Sequence, residues 1–449
     1  MKAAPHIFRE YDIRGIVDKD LNPGVLEMLG RAIGTYLAEG GKNDISLSRD
    51  CRLTSSSYRE ALLRGLLSTG LRVTDLGICP TPLMYFSLYH LRKEGGIQIT
   101  GSHNPKDHNG LKICAGTEAI HGPEIQKIKQ ILDKGRFKEG KGELHSYPIV
   151  TDYIKYVSSN IQLARPVNVV VDGGNGTGGP VAVPILHNLR CQVTELFCEM
   201  DGNFPNHHPD PTVPENIVEL RRKVLETGAE VGIAYDGDAD RLGVIDDAGN
   251  VWWGDRLLIV FAREILRENP GATVISEVKS SQILYDEIRR NGGHGIMWKT
   301  GHSLIKSKMK EERALLAGEM SGHLFFAHRY FGFDDAIYSS MRLLEILAAS
   351  KQKLSEMLTG LPHYPSTPEI RTDCTEEKKW AVVEQMKEHF RRKYPVIDVD
   401  GVRIQFPDGW GLVRASNTQA VLVTRYEGQS QHAMERIRAE VEAKLKELL

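Results

Sequence analysis

Short apolar runs recur along this chain between longer stretches in which apolar positions return every three or four residues, as in 57–67, SYREALLRGLL. The first pattern suits a buried strand, the second an amphipathic helix packed on a sheet. Strands are predicted at 45–47, 73–76 and 97–100, again at 167–171, 193–197 and 231–235, and again at 273–276, 295–298 and 314–317. After each third strand come a polar loop and one more apolar stretch, at 111–114, 242–245 and 323–327, so each loop is expected at the tip of a hairpin. Three copies of one α/β unit are the simplest account. Beyond 362 the period changes: a helical pattern at 376–392, strands at 402–406 and 421–425 and a charged helix from 432 predict a smaller α+β domain. The expected domains are therefore 1–148, 149–249, 250–361 and 362–449.

The three hairpin tips carry the candidate chemistry. Ligands of open α/β sheets gather beyond the carboxyl ends of strands, so loops at equivalent places in three units can converge on one cleft. The first tip, TGSHNPKDHNGLK from Thr100 to Lys112, places Ser102 among turn-forming and basic residues. A serine hydroxyl is a poor nucleophile unaided, and the loop offers His103, Lys106, His108 and Lys112 as helpers. The bland reading is a polar turn whose serine bonds backbone.

In the second tip, Asp236, Asp238 and Asp240 alternate with small residues, so a curled loop can aim three oxygens at one point. Hard oxygen donors favour Mg²⁺, which accepts a few carboxylates plus a phosphate oxygen. An EF-hand is discounted, because its sixth and twelfth positions would be Arg241 and Asp247. A solvated acidic turn is the alternative. Arg241 follows directly, placed to meet a phosphate. The third tip, Gly318 to His323, brings Glu319, Ser321 and His323 together, a set suited to vicinal hydroxyls and equally to a plain acidic turn. Arg414, Ser416, Asn417 and Thr418 form a donor-rich loop that suits phosphate, with helix capping as the alternative. Arg14, Lys279 and His302 are further basic candidates. Gly174, Gly176 and Gly179 imitate a dinucleotide fingerprint, with Glu195 at a suitable distance for a ribose. Pro180 and Pro184 in the following helix favour a tight strand-to-helix turn instead.

Composition narrows the partners. Fifty-seven Lys and Arg face 59 Asp and Glu over 449 residues, so no global field favours nucleic acid or an anionic membrane surface. Six cysteines, at 51, 79, 114, 191, 198 and 374, lack zinc-like spacing and fit reduced thiols in a packing role. The N-terminus lacks a signal-peptide core, and no run reaches the roughly 18 apolar residues of a membrane span. A soluble cytoplasmic enzyme with a small-molecule ligand is expected.

The motifs TGSHNP, DGDADR, GEMSGH and RASNT, in this order and spacing and with YDIRG near the start, resemble those of the α-D-phosphohexomutases. The resemblance covers essentially the whole chain and is nearest the bacterial phosphomannomutase/phosphoglucomutase branch. Phosphoglucosamine mutases tend to carry alanine and glutamine where this chain has Gly101 and Met320. What the resemblance implies is four domains around one deep cleft, the first three related. It implies that Ser102 is the phosphoserine and a metal ligand, with Asp236, Asp238 and Asp240 completing the Mg²⁺ site. Glu319 and Ser321, with His323 in the same loop, would meet the sugar, and Arg414, Ser416, Asn417 and Thr418 the non-transferred phosphate. Tyr11, Arg14, Lys112, Arg241, Lys279 and His302 match further active-site positions, and Lys112, His302 and His103 are candidate proton-transfer groups. The implied reaction interconverts hexose 1-phosphate and hexose 6-phosphate through hexose 1,6-bisphosphate, which is also the activator. A phosphoglucosamine mutase, a metal-dependent sugar phosphatase and a non-catalytic sugar-phosphate sensor are the competing readings.

Overall fold

The structure, a computed structural model, describes residues 3–417 and 419–449. Its strands form four sheets. In the first, the Asp44–Arg49 strand lies between Arg72–Ile78 and Gly95–Ile99, both parallel to it, and His108–Ala115 returns antiparallel to Gly95–Ile99. The second repeats this order: Asn168–Asp172 lies between Gln192–Leu196 and Val231–Tyr235, and Leu242–Asp246 returns antiparallel. The third does so again with Thr273–Glu277 between His294–Trp298 and Leu316–Gly318, followed by Leu324–Phe326. The turn between the last two strands of each set holds one of the three polar loops. The fourth sheet is antiparallel and includes Val402–Phe406, Gly409–Ala415 and Val421–Gly428, with helices Glu376–Arg391 and Gln431–Leu448.

The strands that lead into the loops are deeply buried because helices cover both faces. Gly95–Ile99 and Val231–Tyr235 are buried at every position. Two of the strands that escape the sequence pattern bear on the site. Ile13–Ile16, which starts within YDIRG, adds an edge strand antiparallel to His108–Ala115 and so carries Arg14 to the serine loop. Gly409–Ala415 is interrupted by Gly409 and Gly411, which are small because the next strand and the terminal helix crowd them; a Cβ at Gly409 would stand 2.2 Å from Glu427 O and 2.7 Å from Ile437.

Aromatic packing fixes the units against one another. Phe86 and Tyr89, on helix Thr81–His90, pack on Phe331, with ring centroids 6.1 and 4.6 Å away, and Phe86 also meets Tyr153 at 5.4 Å. The fourth sheet is pinned to the third unit by Arg403, fully buried, which donates to the carbonyls of Val278 and Ser280 at 2.7 and 2.8 Å and stacks on Trp410. All six cysteines are free. Among the described residues no helix is long and apolar enough to cross a membrane.

Candidate active site

Ser102 sits at a sharp turn held by a residue that sequence reading missed. Arg52, buried, donates to four carbonyls of the loop: Ser102 at 2.8 Å, Asn104 and Pro105 at 2.6 Å, and His108 at 3.0 Å. Asp50 closes the arrangement, accepting from Gly101 N at 3.1 Å and pairing with Arg52 Nε at 3.2 Å. Gly101 leaves room for this guanidinium: a Cβ there would lie 2.4 Å from Arg52 Nε, so Arg52 would have to shift. Ser102 itself has φ +50, a left-handed conformation that costs a serine on the order of 1 kcal/mol. The result is a hydroxyl aimed across the cleft: Ser102 Oγ donates to Asp236 Oδ2 at 2.9 Å and lies 3.2 Å from His103 Nδ1. Two helpers named from sequence are elsewhere: Lys106 is exposed, and the His108 ring faces Asp107 at 2.8 Å. A loop that wraps around Arg52 cannot also turn every side chain inward.

The acidic loop is wholly buried. Asp236 Oδ1 accepts from the backbone of Asp240 and Arg241, both at 3.0 Å, which curls the loop back on itself. Asp238 Oδ2 accepts from Thr81 Oγ1 at 2.5 Å and Lys112 Nζ at 2.7 Å, and Lys112 also donates to Asp240 Oδ2. One oxygen from each aspartate lies within 4.8 Å of the others, while Asp238 Oδ1 and Asp240 Oδ1 are buried without a hydrogen-bond partner. Orphaned carboxylate oxygens at this density are costly unless a cation meets them, and an all-oxygen set suits a hard one. Burial and the neighbouring Asp240 and Asp238 push Asp236 well above the usual carboxylate range. Burial also acts to raise Asp238, but Lys112 outweighs it and holds this group below its ordinary value. Lys112 stays a cation, since its carboxylate partners outweigh burial. The glycine run 173–179 serves this loop: Thr177 N donates to Gly237 O at 3.1 Å, and a Cβ at Gly176 would stand 2.7 Å from that oxygen. Close backbone packing, with no dinucleotide contact needed, accounts for these glycines.

The third loop and the fourth sheet bring together a second group of candidates. Glu319 Oε1 accepts from Gly301 N at 2.6 Å, and Ser321 Oγ lies 3.4 Å from Oε2. Glu277, another residue sequence reading missed, accepts from Thr300 Oγ1 at 2.6 Å and Met320 N at 2.9 Å, and lies 3.2 Å from Lys279 Nζ. Lys279 pairs also with Glu369 at 2.6 Å, and its positive charge draws Glu369 down to about 2. Arg414 Nε donates to Asp400 Oδ2 at 3.0 Å. Asn417 Nδ2 donates to the Tyr11 hydroxyl, which donates onward to Thr300 O, both at 2.7 Å. Ser416 Oγ accepts from Gln419 N at 3.2 Å. Thr418 lies outside the described residues.

Basic groups line the space between the halves. Arg14 donates to Asn104 Oδ1 at 2.7 Å in the serine loop. Arg241 Nε donates to His323 Nε2 at 3.0 Å. His302 begins helix His302–Glu312, stacks on His323 at 5.5 Å and meets the edge of Tyr11 at 6.0 Å. Burial, reinforced by nearby cations, pushes both His302 and His103 well below the ordinary histidine value, so both are neutral at pH 7. The described candidates thus fall into two linked groups. Ser102, the three aspartates, Lys112, Arg241, His103 and Arg14 surround the acidic loop; Tyr11, Lys279, Glu319, Ser321, Arg414, Ser416 and Asn417 lie toward the fourth sheet. His302 and His323 bridge them.

Comparison with known proteins finds one family along the chain. Models described as phosphoglucomutase/phosphomannomutase alpha/beta/alpha domains I, II and III match residues 5–139, 151–249 and 253–364, and the C-terminal domain of that family matches 369–444. The chain is 44% identical over 433 residues to a phosphomannomutase/phosphoglucomutase of Pseudomonas putida, covering 96% of this chain and 94% of the relative. It is 46% identical over 436 residues to a phosphoglucomutase of Neisseria gonorrhoeae, covering 96% and 95%. A crystal structure of a phosphoglucomutase/phosphomannomutase family protein from Burkholderia thailandensis superposes with a TM-score of 0.94 at 41% identity, covering 99% and 98%.

Proposed function

We propose a mechanism for this chain on the premise that it belongs to the phosphoglucomutase/phosphomannomutase family and is therefore a hexose-phosphate mutase, an enzyme that moves a phosphoryl group within its substrate. Mannose and glucose phosphates are the proposed substrates. Ser102 carries the phosphoryl group. Arg414, Ser416, Asn417 and Thr418 hold the phosphate already on the sugar, and the free hydroxyl at the other end of the sugar attacks the phosphoserine. A new sugar O–P bond forms as the Ser102 Oγ–P bond breaks, and the hydroxyl proton passes to a group of the site. The product is hexose 1,6-bisphosphate. After it turns round, its other phosphate returns to Ser102 by the reverse step, which leaves the isomerised monophosphate. Both orientations must be recognised, and Glu319 and Ser321 suit hydroxyls that the two share.

Arg241, Lys112 and Arg14 supply fixed positive charge to the phosphoryl oxygens, a role that phosphoryl transfer rewards more than covalent help. Asp236, Asp238 and Asp240, with an oxygen from Ser102 or its phosphate, would hold Mg²⁺, which when bound supplies Lewis-acid charge to the same oxygens. The observation that most supports this reading is the 2.9 Å hydrogen bond from Ser102 Oγ to Asp236 Oδ2, because it joins the nucleophile loop to the cation loop. Six free thiols suit a reducing compartment, and the proposed location is the cytoplasm.

The test combines intact mass with turnover. Active protein is expected to carry one phosphate, mapped to Ser102, and to isomerise mannose 1-phosphate and glucose 1-phosphate when primed with the bisphosphate. Wild-type turnover by Ser102→Ala would overturn the covalent mechanism. A preference for glucosamine phosphate would overturn the substrate assignment.

A further inference from the structure

Asp334 takes no part in the functional assignments above, yet it is fully buried directly behind the site, just before helix Ala336–Ala349. Its two oxygens face different partners. Oδ1 accepts from Lys306 Nζ at 2.7 Å. Oδ2 has no conventional hydrogen bond and lies 3.3 Å from His323 Nδ1 and 3.7 Å from His302 Nδ1. Lys306, itself lying over the Tyr85 ring at 4.0 Å, holds the carboxylate from behind and so leaves Oδ2 for the imidazoles.

The proton on His323 can be placed from its neighbours. Arg241 Nε carries a hydrogen and has no lone pair to offer, so at 3.0 Å His323 Nε2 must be the acceptor. The ring hydrogen is then on Nδ1, facing Asp334 Oδ2 at 3.3 Å and Asp240 Oδ1 at 3.6 Å. The opposite tautomer would set two N–H groups against each other. Of the two carboxylates, Asp240 belongs to the cation loop, which leaves Asp334 as the anion dedicated to the ring. We propose that Asp334 is a positioning residue: it fixes His323 as the Nδ1–H tautomer and, through the bare Nε2, sets the aim of the Arg241 guanidinium. This kind of anchoring, in which the hydrogen bond at one ring nitrogen decides what the other can do, is general for histidine. The inference rests on the mutase reading for its kinetic consequence and on geometry alone for the tautomer.

Asp334→Asn separates the two. The variant keeps the shape, and Lys306 draws the amide oxygen to its own side, which puts the amide nitrogen, a donor, against His323 Nδ1. The ring hydrogen must then move to Nε2 and confront Arg241. In ¹⁵N-histidine-labelled protein, assigned by the loss of signal in His323→Gln, wild-type His323 is expected to show a protonated Nδ1 and a bare Nε2, with the pattern reversed in Asp334→Asn. Turnover of glucose 1-phosphate by Asp334→Asn should fall by roughly a hundredfold in kcat, as for loss of one aimed donor, while KM changes by less than about threefold because the Arg414 loop is untouched. In a His323→Ala background the same substitution should cost less than about threefold, since its route of action is gone.

A wild-type His323 protonated at Nε2 overturns the proposal without any variant, even if Asp334→Asn does not fold. Unchanged kcat in Asp334→Asn, or an equal loss with and without His323, also overturns it. A wild-type protein that isomerises no hexose phosphate would sink the mutase reading instead, and the labelled-histidine spectrum would still decide the tautomer.

Discussion

Asn417 donates its side-chain amide to the hydroxyl of Tyr11, 2.7 Å away and 406 positions earlier in the chain. That hydroxyl reaches on to Thr300 O, so one phenol joins the first, third and fourth units. Tyr11→Phe removes both bonds and leaves the ring. Each is worth about 1 kcal/mol, so kcat/KM should fall by roughly thirtyfold, chiefly through KM, with phosphoserine content unchanged. Steady-state kinetics beside intact mass checks this; a loss of phosphoserine would place Tyr11 in the transfer step.

Lys112 neutralises Asp238 and Asp240 together. Lys112→Met leaves two buried carboxylates with one counter-charge fewer, and breaking such a pair costs about 3–5 kcal/mol. The variant should melt well below wild type in chelator. Added Mg²⁺ should raise its Tm more than it raises that of wild type, because the ion then replaces the missing charge; equal shifts would contradict the assignment of these oxygens.

Asp238→Asn weakens the cation set while keeping the side chain's size. Several kcal/mol of charge stabilisation rest on a bound ion, so activity at fixed Mg²⁺ should drop at least about a hundredfold. Chelator should abolish wild-type turnover, and Mg²⁺ should restore it. Full activity in chelator would remove the metal from the mechanism.

Glu369 is held at about 2 by Lys279, below the 4.5 of a free glutamate. The folded form therefore binds its proton more weakly than the unfolded form. The stabilisation is complete above pH 4.5 and is lost as pH falls toward 2, up to about 3 kcal/mol in all. Glu369→Gln should accordingly melt below wild type at pH 7, and the gap should narrow through this acid window. A gap that persists at pH 2.5 would show that packing, not charge, is lost.

Much of the fold was legible because period is a local property. The strands expected at 231–235 and 402–406 coincide with Val231–Tyr235 and Val402–Phe406, where alternation or continuous burial is bounded by turn residues. Gly409–Ala415 was not legible, since its glycines are set by a strand and a helix that follow it in the chain. The site divides in the same way. Ser102 and the three aspartates stand in compact motifs, whereas Arg52, Glu277 and Asp334 are single residues whose meaning depends on distant partners. Arg52 lies 50 positions from the Ser102 carbonyl it holds, and Glu277 lies 43 from the Met320 amide. No window short enough to show a period contains both ends of such a contact.

The shared strand order of the first three sheets has a consequence for how this enzyme could have arisen. One hairpin tip, present three times, offers three variable loops on supports that share the same order of four strands. Each can change its chemistry while the buried strands beneath it stay fixed. The proposed nucleophile, cation cage and hydroxyl reader could thus diverge separately, a division of labour among similar units inside a single polypeptide.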